Sequence, residues 1–196
     1  MAFLDLMARA CEQLPMRLLG YCLMPNHIHL VVWPFEANDL GRWMHWLLTT
    51  HVNRHHRRHG TTGRIWQGRY KAFPIQQDHH LLTVLRYVER NALRAGLVER
   101  AETWRWSSLR WWSRQSRPEF LVRGPVAHPE DWISRVNEPV TEAELEAIRL
   151  SVKRSRPFGA KEWVAHTAKA LHMESSLRNR GRQPRLRRVT KLRTSA

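Results

Sequence analysis

The sequence predicts an α+β protein, and three observations carry that reading. Phe3, Met7, Cys11 and Leu14 recur at helical spacing, so residues 2–14 form a helix with one apolar stripe. Two apolar runs, 17–24 and 27–34, flank Pro25-Asn26 and read as two strands joined by a turn. Two more helical patterns follow, at 39–59 and about 78–95, with an extended stretch at 64–75 between them.

Each element has its own justification. A two-residue loop pairs Met24 with His27, Cys22 with His29 and Tyr21 with Leu30, and opposed residues share a face. Tyr21 then points to the core, and Cys22 and Met24 lie beside the histidines. A loop of odd length reverses that parity. Asp39 is the candidate cap of the next helix, whose apolar face is Leu40, Trp43, Trp46, Leu47 and Val52. Gly60-Thr61-Thr62-Gly63 breaks it. The helix from about 78 stops at Gly96, a residue favoured just past a helix end. A tryptophan-dense stretch holds Trp104, Trp106, Trp111 and Trp112. Pro125 and Pro129 mark a boundary, and Thr141-Glu142-Ala143-Glu144 has the capping-box pattern that opens a helix to about Arg154. Another helix covers about 160–172.

This divides the chain into a core at 1–115, a linker at 116–140, a helical appendage at 141–176 and a disordered basic tail at 177–196. The tail has no acid between Arg178 and Arg193 and too little apolar content to fold alone. A β-α-β-β-α-β unit needs one more strand before Met1, so the topology is unusual or the first strand is lacking.

Composition narrows the function. The 196 residues carry 33 Lys and Arg against 17 Asp and Glu, a formal net charge of +16. That imbalance favours a polyanion, because neutralising phosphates releases counterions. Two cysteines, Cys11 and Cys22, indicate neither a disulfide framework nor a cysteine zinc site. No apolar run reaches the length of a membrane span and the N-terminus has no signal-peptide layout, so the expected setting is the cytoplasm, near the nucleoid.

The chemistry starts at Met24-Pro25-Asn26-His27-Ile28-His29-Leu30-Val31. Strand residues two apart share a face, so His27 and His29 stand together with two imidazoles in reach of one divalent metal. Two ligands do not complete a site. Tyr87 and Asn91 lie at i and i+4 on one helix face, and the Asn91 amide oxygen is a candidate third ligand. Mixed nitrogen and oxygen donors suit Mg²⁺ or Mn²⁺. A neutral phenol is a poor nucleophile, and ionising one at pH 7 costs about 4 kcal/mol. A metal and nearby cations offset much of that. Arg90 and Arg94, or Arg69 and Lys71, are the candidate cations. Of the three tyrosines, Tyr21 faces the core and Tyr70 lies on the extended stretch, which leaves Tyr87 as the candidate nucleophile.

Three segments carry a resemblance. They are Tyr-Cys-Leu-Met-Pro-Asn-His-Ile-His-Leu-Val-Val (21–32), Trp-Gln-Gly-Arg-Tyr (66–70) and Tyr-Val-Glu-Arg-Asn-Ala-Leu-Arg-Ala-Gly-Leu-Val (87–98). Together they resemble the single-tyrosine transposases of the HUH superfamily, most closely the REP-associated tyrosine transposases. The resemblance spans about residues 3–112. Arg-Pro-Phe-Gly (156–159) and the Ser-Ser-Leu-Arg-Asn-Arg-Gly-Arg run (175–182) resemble the C-terminal region of such proteins. It implies a ferredoxin-like HUH nuclease core, an antiparallel sheet with helices on one face, acting on single-stranded, often hairpin-forming DNA. It further implies that His27 and His29 bind the metal, that Asn91 is the third ligand and that Tyr87 forms a 5′-phosphotyrosine bond. Two departures stand out. Ala92 takes the place of the usual proline, which lets the helix run on. The strand that precedes the first helix in the family is absent, as from a truncated product.

Other patterns have competing readings. His51, His55 and His59 share a helix face and alternate with Arg54, Arg57 and Arg58, which suit phosphate better than a cation. Trp104 and Trp106 read as core, with base stacking as the rival. Arg180, Arg182 and Arg185 resemble an interrupted AT-hook, with generic phosphate attraction as the simpler reading. The expected activity is metal-dependent cleavage and rejoining of single-stranded or hairpin DNA. Its rivals are a non-cleaving hairpin-binding relic and a basic RNA-binding module. Whether one chain or a homodimer builds the site stays open.

Overall fold

The hairpin forms in the register that a two-residue loop requires. In the computed structural model, which describes residues 2–112, 114 and 117–178, β1 (Met16–Leu23) pairs antiparallel with β2 (Ile28–Pro34). Cys22 faces His29 and Tyr21 faces Leu30, and the Met24 N–H donates to the His27 carbonyl at 2.9 Å. Leu19 is an extra residue on β1, since Leu18 pairs with Val32 and Gly20 with Val31. With this bulge Leu19 and Gly20 both face the α3 side, while Leu18 and Tyr21 face the other.

Helices cover both faces. On one, α1 (Ala2–Gln13) and α2 (Asp39–His59) pack Leu6, Met7, Trp43 and Leu47 against Leu18 and Tyr21. On the other, α3 (His79–Glu89) packs Leu81, Val84, Leu85 and Val88 against Leu19, Cys22 and Val31. The expectation of helices on one face is therefore corrected: alternate strand residues are apolar toward each side, so each side needs a cover.

Two local features bring α3 close to the sheet. A Cβ on Gly20 would sit 2.6 Å from Leu85 Cδ2, so glycine at that position permits the approach. Asp78 caps α3, its carboxylate accepting from the His80 N–H at 2.8 Å. The helix does not run on to 95. It breaks at Arg90 and resumes as α4 (Asn91–Arg94), ending at Gly96 with φ +69°. At the break the Asn91 side chain donates to the Tyr87 carbonyl at 3.0 Å, occupying an oxygen of the helix ladder. Asp39 is likewise not a cap. It is the first residue of α2, and its carboxylate accepts from the Glu36 N–H at 2.8 Å.

The free edge of β1 is covered from far along the chain. Leu23 donates to Trp106, Ser108 to Tyr21 and Val122 to Leu18, each at 2.9 Å. Trp104 Nε1 donates to the Leu23 carbonyl at 3.0 Å and its ring joins the α3-side core, as its core reading required. Trp106 belongs to neither cluster. The described residues give a sheet of two strands. Segment 64–75 forms a single bridge, Ile75 to Phe158, in place of a strand.

Past α5 (Leu109–Trp112), residues 116–140 hold a helix that sequence periodicity did not reveal, α6 (Trp132–Asn137). Its Trp132 and Val136 join the α3-side core, as do Leu145 and Ile148 of α7 (Glu142–Arg154). The capping box at Thr141 and Glu144 is present as read. α8 (Lys161–Ala170) completes the described helices. No described helix is long and apolar enough to cross a membrane.

Candidate active site

His29 stands on the α3 side of the hairpin because Cys22, its partner in register, packs there. Its ring centroid is 4.8 Å from that of His27 and 5.9 Å from that of Tyr87, both edge-on. Two imidazoles from the hairpin and a phenol from α3 thus form one group, contributed by residues nearly 60 positions apart. Tyr21 is buried and its hydroxyl is pushed up to about 12 by desolvation, while Trp111 donates to it at 2.9 Å. Tyr70 is exposed on the loop after Trp66.

His29 has the protonation state of a ligand. Burial, with the charges of His27 and Arg94, pushes His29 down to about 4, so it is neutral at neutral pH. Its Nε2 is buried without a hydrogen-bond partner among the described residues. A buried lone pair with no donor is unusual and marks a place for an electrophile. His27 Nδ1 lies 2.6 Å from Asn26 Oδ1. With that N–H donating to the amide oxygen, the Nε2 lone pair is free, the outer-shell arrangement typical of metal-binding histidines.

Asn91 sits in the same neighbourhood but is engaged. It is fully buried, and its Oδ1 accepts from Arg94 Nη2 at 2.8 Å. The Arg94 guanidinium also lies 5.6 Å from the Tyr87 ring centroid. The two imidazoles offer nitrogen donors for a divalent ion, and the Asn91 oxygen, one lone pair of which accepts from Arg94, keeps the other.

Tyr87 itself is 8% exposed. It lines a cavity of about 180 Å³ with Arg90, Arg94, Pro139, Val140, Glu142 and Leu145. Arg86 Nη2 donates to the Glu138 and Pro139 carbonyls at 3.1 and 2.8 Å, and Arg90 donates to Val136 and Asn137. The roof over Tyr87 therefore comes from residues some 50 positions later, and nothing in local periodicity signals it.

The other candidate cations lie elsewhere. Arg69 and Lys71 are exposed on the loop following Trp66, whose ring packs 5.2 Å from His51. Arg180, Arg182 and Arg185 lie outside the described residues, as does most of the basic tail. His51, His55 and His59 form a stacked ladder, with ring centroids 6.3 and 4.5 Å apart, and Phe3 closes over His51 at 5.1 Å. One cluster was not anticipated: Asp78, His79 and His80 offer ligand atoms within 4.8 Å of one another. There Asp78 Oδ1 already accepts from the His80 backbone N–H, the cap of α3, and lies 2.7 Å from His80 Nδ1.

The site is thus a histidine pair facing a helix-borne tyrosine on a basic chain, and two comparisons bear on it. Residues 2–91 are similar to the family model described as IS200-like transposase. A Haemophilus influenzae protein assigned as a REP-associated tyrosine transposase is 27% identical over 135 residues, 63% of this chain and 70% of that protein. No solved structure matches the chain.

Proposed function

We propose that this chain cleaves and rejoins single-stranded DNA through Tyr87, at sites beside hairpin-forming repeats. The observation that carries the reading is the contact between the Tyr87 ring and His29, whose buried Nε2 has no partner among the described residues. The Tyr87 hydroxyl oxygen attacks the scissile phosphorus, the bond to O3′ breaks, and the phenolic proton leaves to solvent. A 5′-phosphotyrosine and a free 3′-hydroxyl result, which keeps the ester bond for rejoining. Arg94 places a positive charge beside the phenol and the incoming phosphate. His27, His29 and Asn91 are the residues that would hold Mg²⁺ or Mn²⁺. Bound there, the ion supplies Lewis-acid polarisation of the phosphate.

A second reading has its own support. Tyr87 is buried under Pro139, Val140 and Leu145, and the Asn91 oxygen is tied to Arg94. A protein that holds hairpin DNA without cutting it fits that arrangement. The test is a covalent-adduct assay with 5′- and 3′-labelled single-stranded hairpin DNA and Mn²⁺ or Mg²⁺. A denaturant-resistant band on the 5′-phosphate fragment, lost in Tyr87→Phe, in His27→Ala/His29→Ala and with chelator, establishes cleavage. Tight binding with no adduct on any hairpin establishes the non-cleaving reading.

A further inference from the structure

A larger cavity, about 480 Å³, borders α3 and α7 on the N-terminal side of Tyr87 along α3. His79, His80, Leu150, Arg156, Phe158 and Val164 line it. Thr83 of α3 faces it and Tyr87, one turn further along α3, lines the Tyr87 cavity; on α7, Ala147 lines the larger cavity and Leu145, on another face of the helix, the smaller. His79 and Tyr87 are eight residues apart, about 12 Å along a helix. That distance corresponds to about three stacked nucleotides at about 3.4 Å each, and fewer in an extended strand.

The walls are fixed. Arg156-Pro157-Phe158-Gly159 is clamped to the core, with Phe158 N–H donating to Pro74 at 2.8 Å and Gln76 N–H donating back to Phe158 at 2.9 Å. Gln76 Oε1 also accepts from the Ala160 N–H at 2.8 Å. A Cβ on Gly159 would lie 2.6 Å from both Gln76 Oε1 and Trp163 Cε3, so the segment is pressed in where only glycine fits. The clamp sets the Phe158 ring edge-on to His80 at 5.5 Å. Among the described residues the Arg156 guanidinium makes no hydrogen bond or ion pair, which leaves a donor fork at the cavity.

We propose that this cavity is a nucleobase pocket that takes one unpaired base of the strand whose phosphate reaches Tyr87, about two or three nucleotides from the cleaved bond. The inference rests on the single-stranded DNA reading of the Tyr87 site. Its volume lies in the range of small-molecule pockets. Phe158, His80, Leu150 and Val164 give flat and apolar walls for a base face, as in stacking platforms for single strands. Arg156 and His79 supply polar contacts at the edge.

The test places 2-aminopurine at successive positions of a single-stranded oligonucleotide and measures its fluorescence and affinity with Tyr87→Phe protein. The same scan uses Tyr87→Phe/Ala147→Trp, where an indole from an exposed α7 position fills the cavity without opening the core. Circular dichroism and Tm check that this variant folds, and Arg156→Gln provides an independent second arm. The expected result is one position, two or three nucleotides from the cleaved bond, whose fluorescence changes on binding. That change disappears with Ala147→Trp, affinity falls at least tenfold, and Arg156→Gln weakens binding severalfold. An unchanged scan and affinity in both variants overturns the pocket. If the wild type forms the Tyr87 adduct while the scan stays flat, the cleavage reading stands and the pocket falls. If no adduct forms yet Ala147→Trp abolishes the fluorescence change, the pocket stands and cleavage falls.

Discussion

The two faces of the β1–β2 hairpin are built from different chemistry. The α1–α2 side is closed with Leu6, Met7, Leu18, Tyr21, Trp43 and Leu47, and its polar exceptions are few. The α3 side buries Glu89, Asn91, Ser107 and Ser108, and it carries His29 as well. One face makes the fold and the other tolerates groups whose burial costs free energy unless they are hydrogen-bonded. Glu89 is satisfied by long-range partners. Glu89 accepts from Ser108 Oγ at 2.6 Å, Trp112 Nε1 at 2.7 Å and Trp132 Nε1 at 2.8 Å. That network ties α3 to the β1 edge and to α5 and α6.

The largest expected contrast separates activity from stability. Tyr87→Phe, at the proposed nucleophile, is expected to abolish adduct formation while changing Tm little, since only a hydroxyl is lost. Trp43→Ala, on the opposite face and fully buried, is expected to cost about 3–5 kcal/mol of stability. Denaturant unfolding measures that loss, and an equal loss of stability in Tyr87→Phe would erase the contrast.

Glu89 distinguishes the faces by pH. Desolvation pushes its carboxyl up to about 7 despite three donors. A folded pKa above the unfolded value of 4.5 means the native state holds the extra proton between those limits. Its contribution is full below pH 4.5 and is lost as pH rises through 7, a difference on the order of a few kcal/mol. Unfolding curves from pH 4 to 8 are expected to show this decline, and Glu89→Gln to flatten it. A variant with the wild-type pH profile would remove Glu89 from the account.

Smaller effects test the approach of α3. Gly20→Ala inserts a methyl 2.6 Å from Leu85 Cδ2, and overpacking of this kind costs about 1–3 kcal/mol. Thr141→Ala removes the capping box of α7, at about 0.5–2 kcal/mol. Because α7 carries Leu145 over Tyr87, this variant also reports whether the roof is coupled to the site. Faster adduct formation would show coupling, and an unchanged rate would show none.

The hairpin register, the positions of α1, α2 and α7 and the burial of Tyr21 were legible in the sequence. Each is set by neighbours within a few residues: Pro25-Asn26, the apolar stripe from Phe3, and Thr141 with Glu144. The pairing of His27 and His29 was legible for the same reason, since strand alternation is local. What lay beyond local pattern was partnership across the chain. The break at Arg90 depends on the Asn91 side chain reaching Tyr87, and α6 is six residues whose value lies in Trp132 meeting Glu89.

By itself, then, the sequence determined the elements, the charge and which residues have the chemistry to act, because propensity and period are properties of short stretches. Tertiary structure alone decided which of them meet. It set His29 against Tyr87, gave the Asn91 oxygen to Arg94, and roofed the phenol with residues 139–145. The first and last of these join positions far apart along the chain, and their energy comes from burial and hydrogen bonds that exist only once both faces of the hairpin are covered.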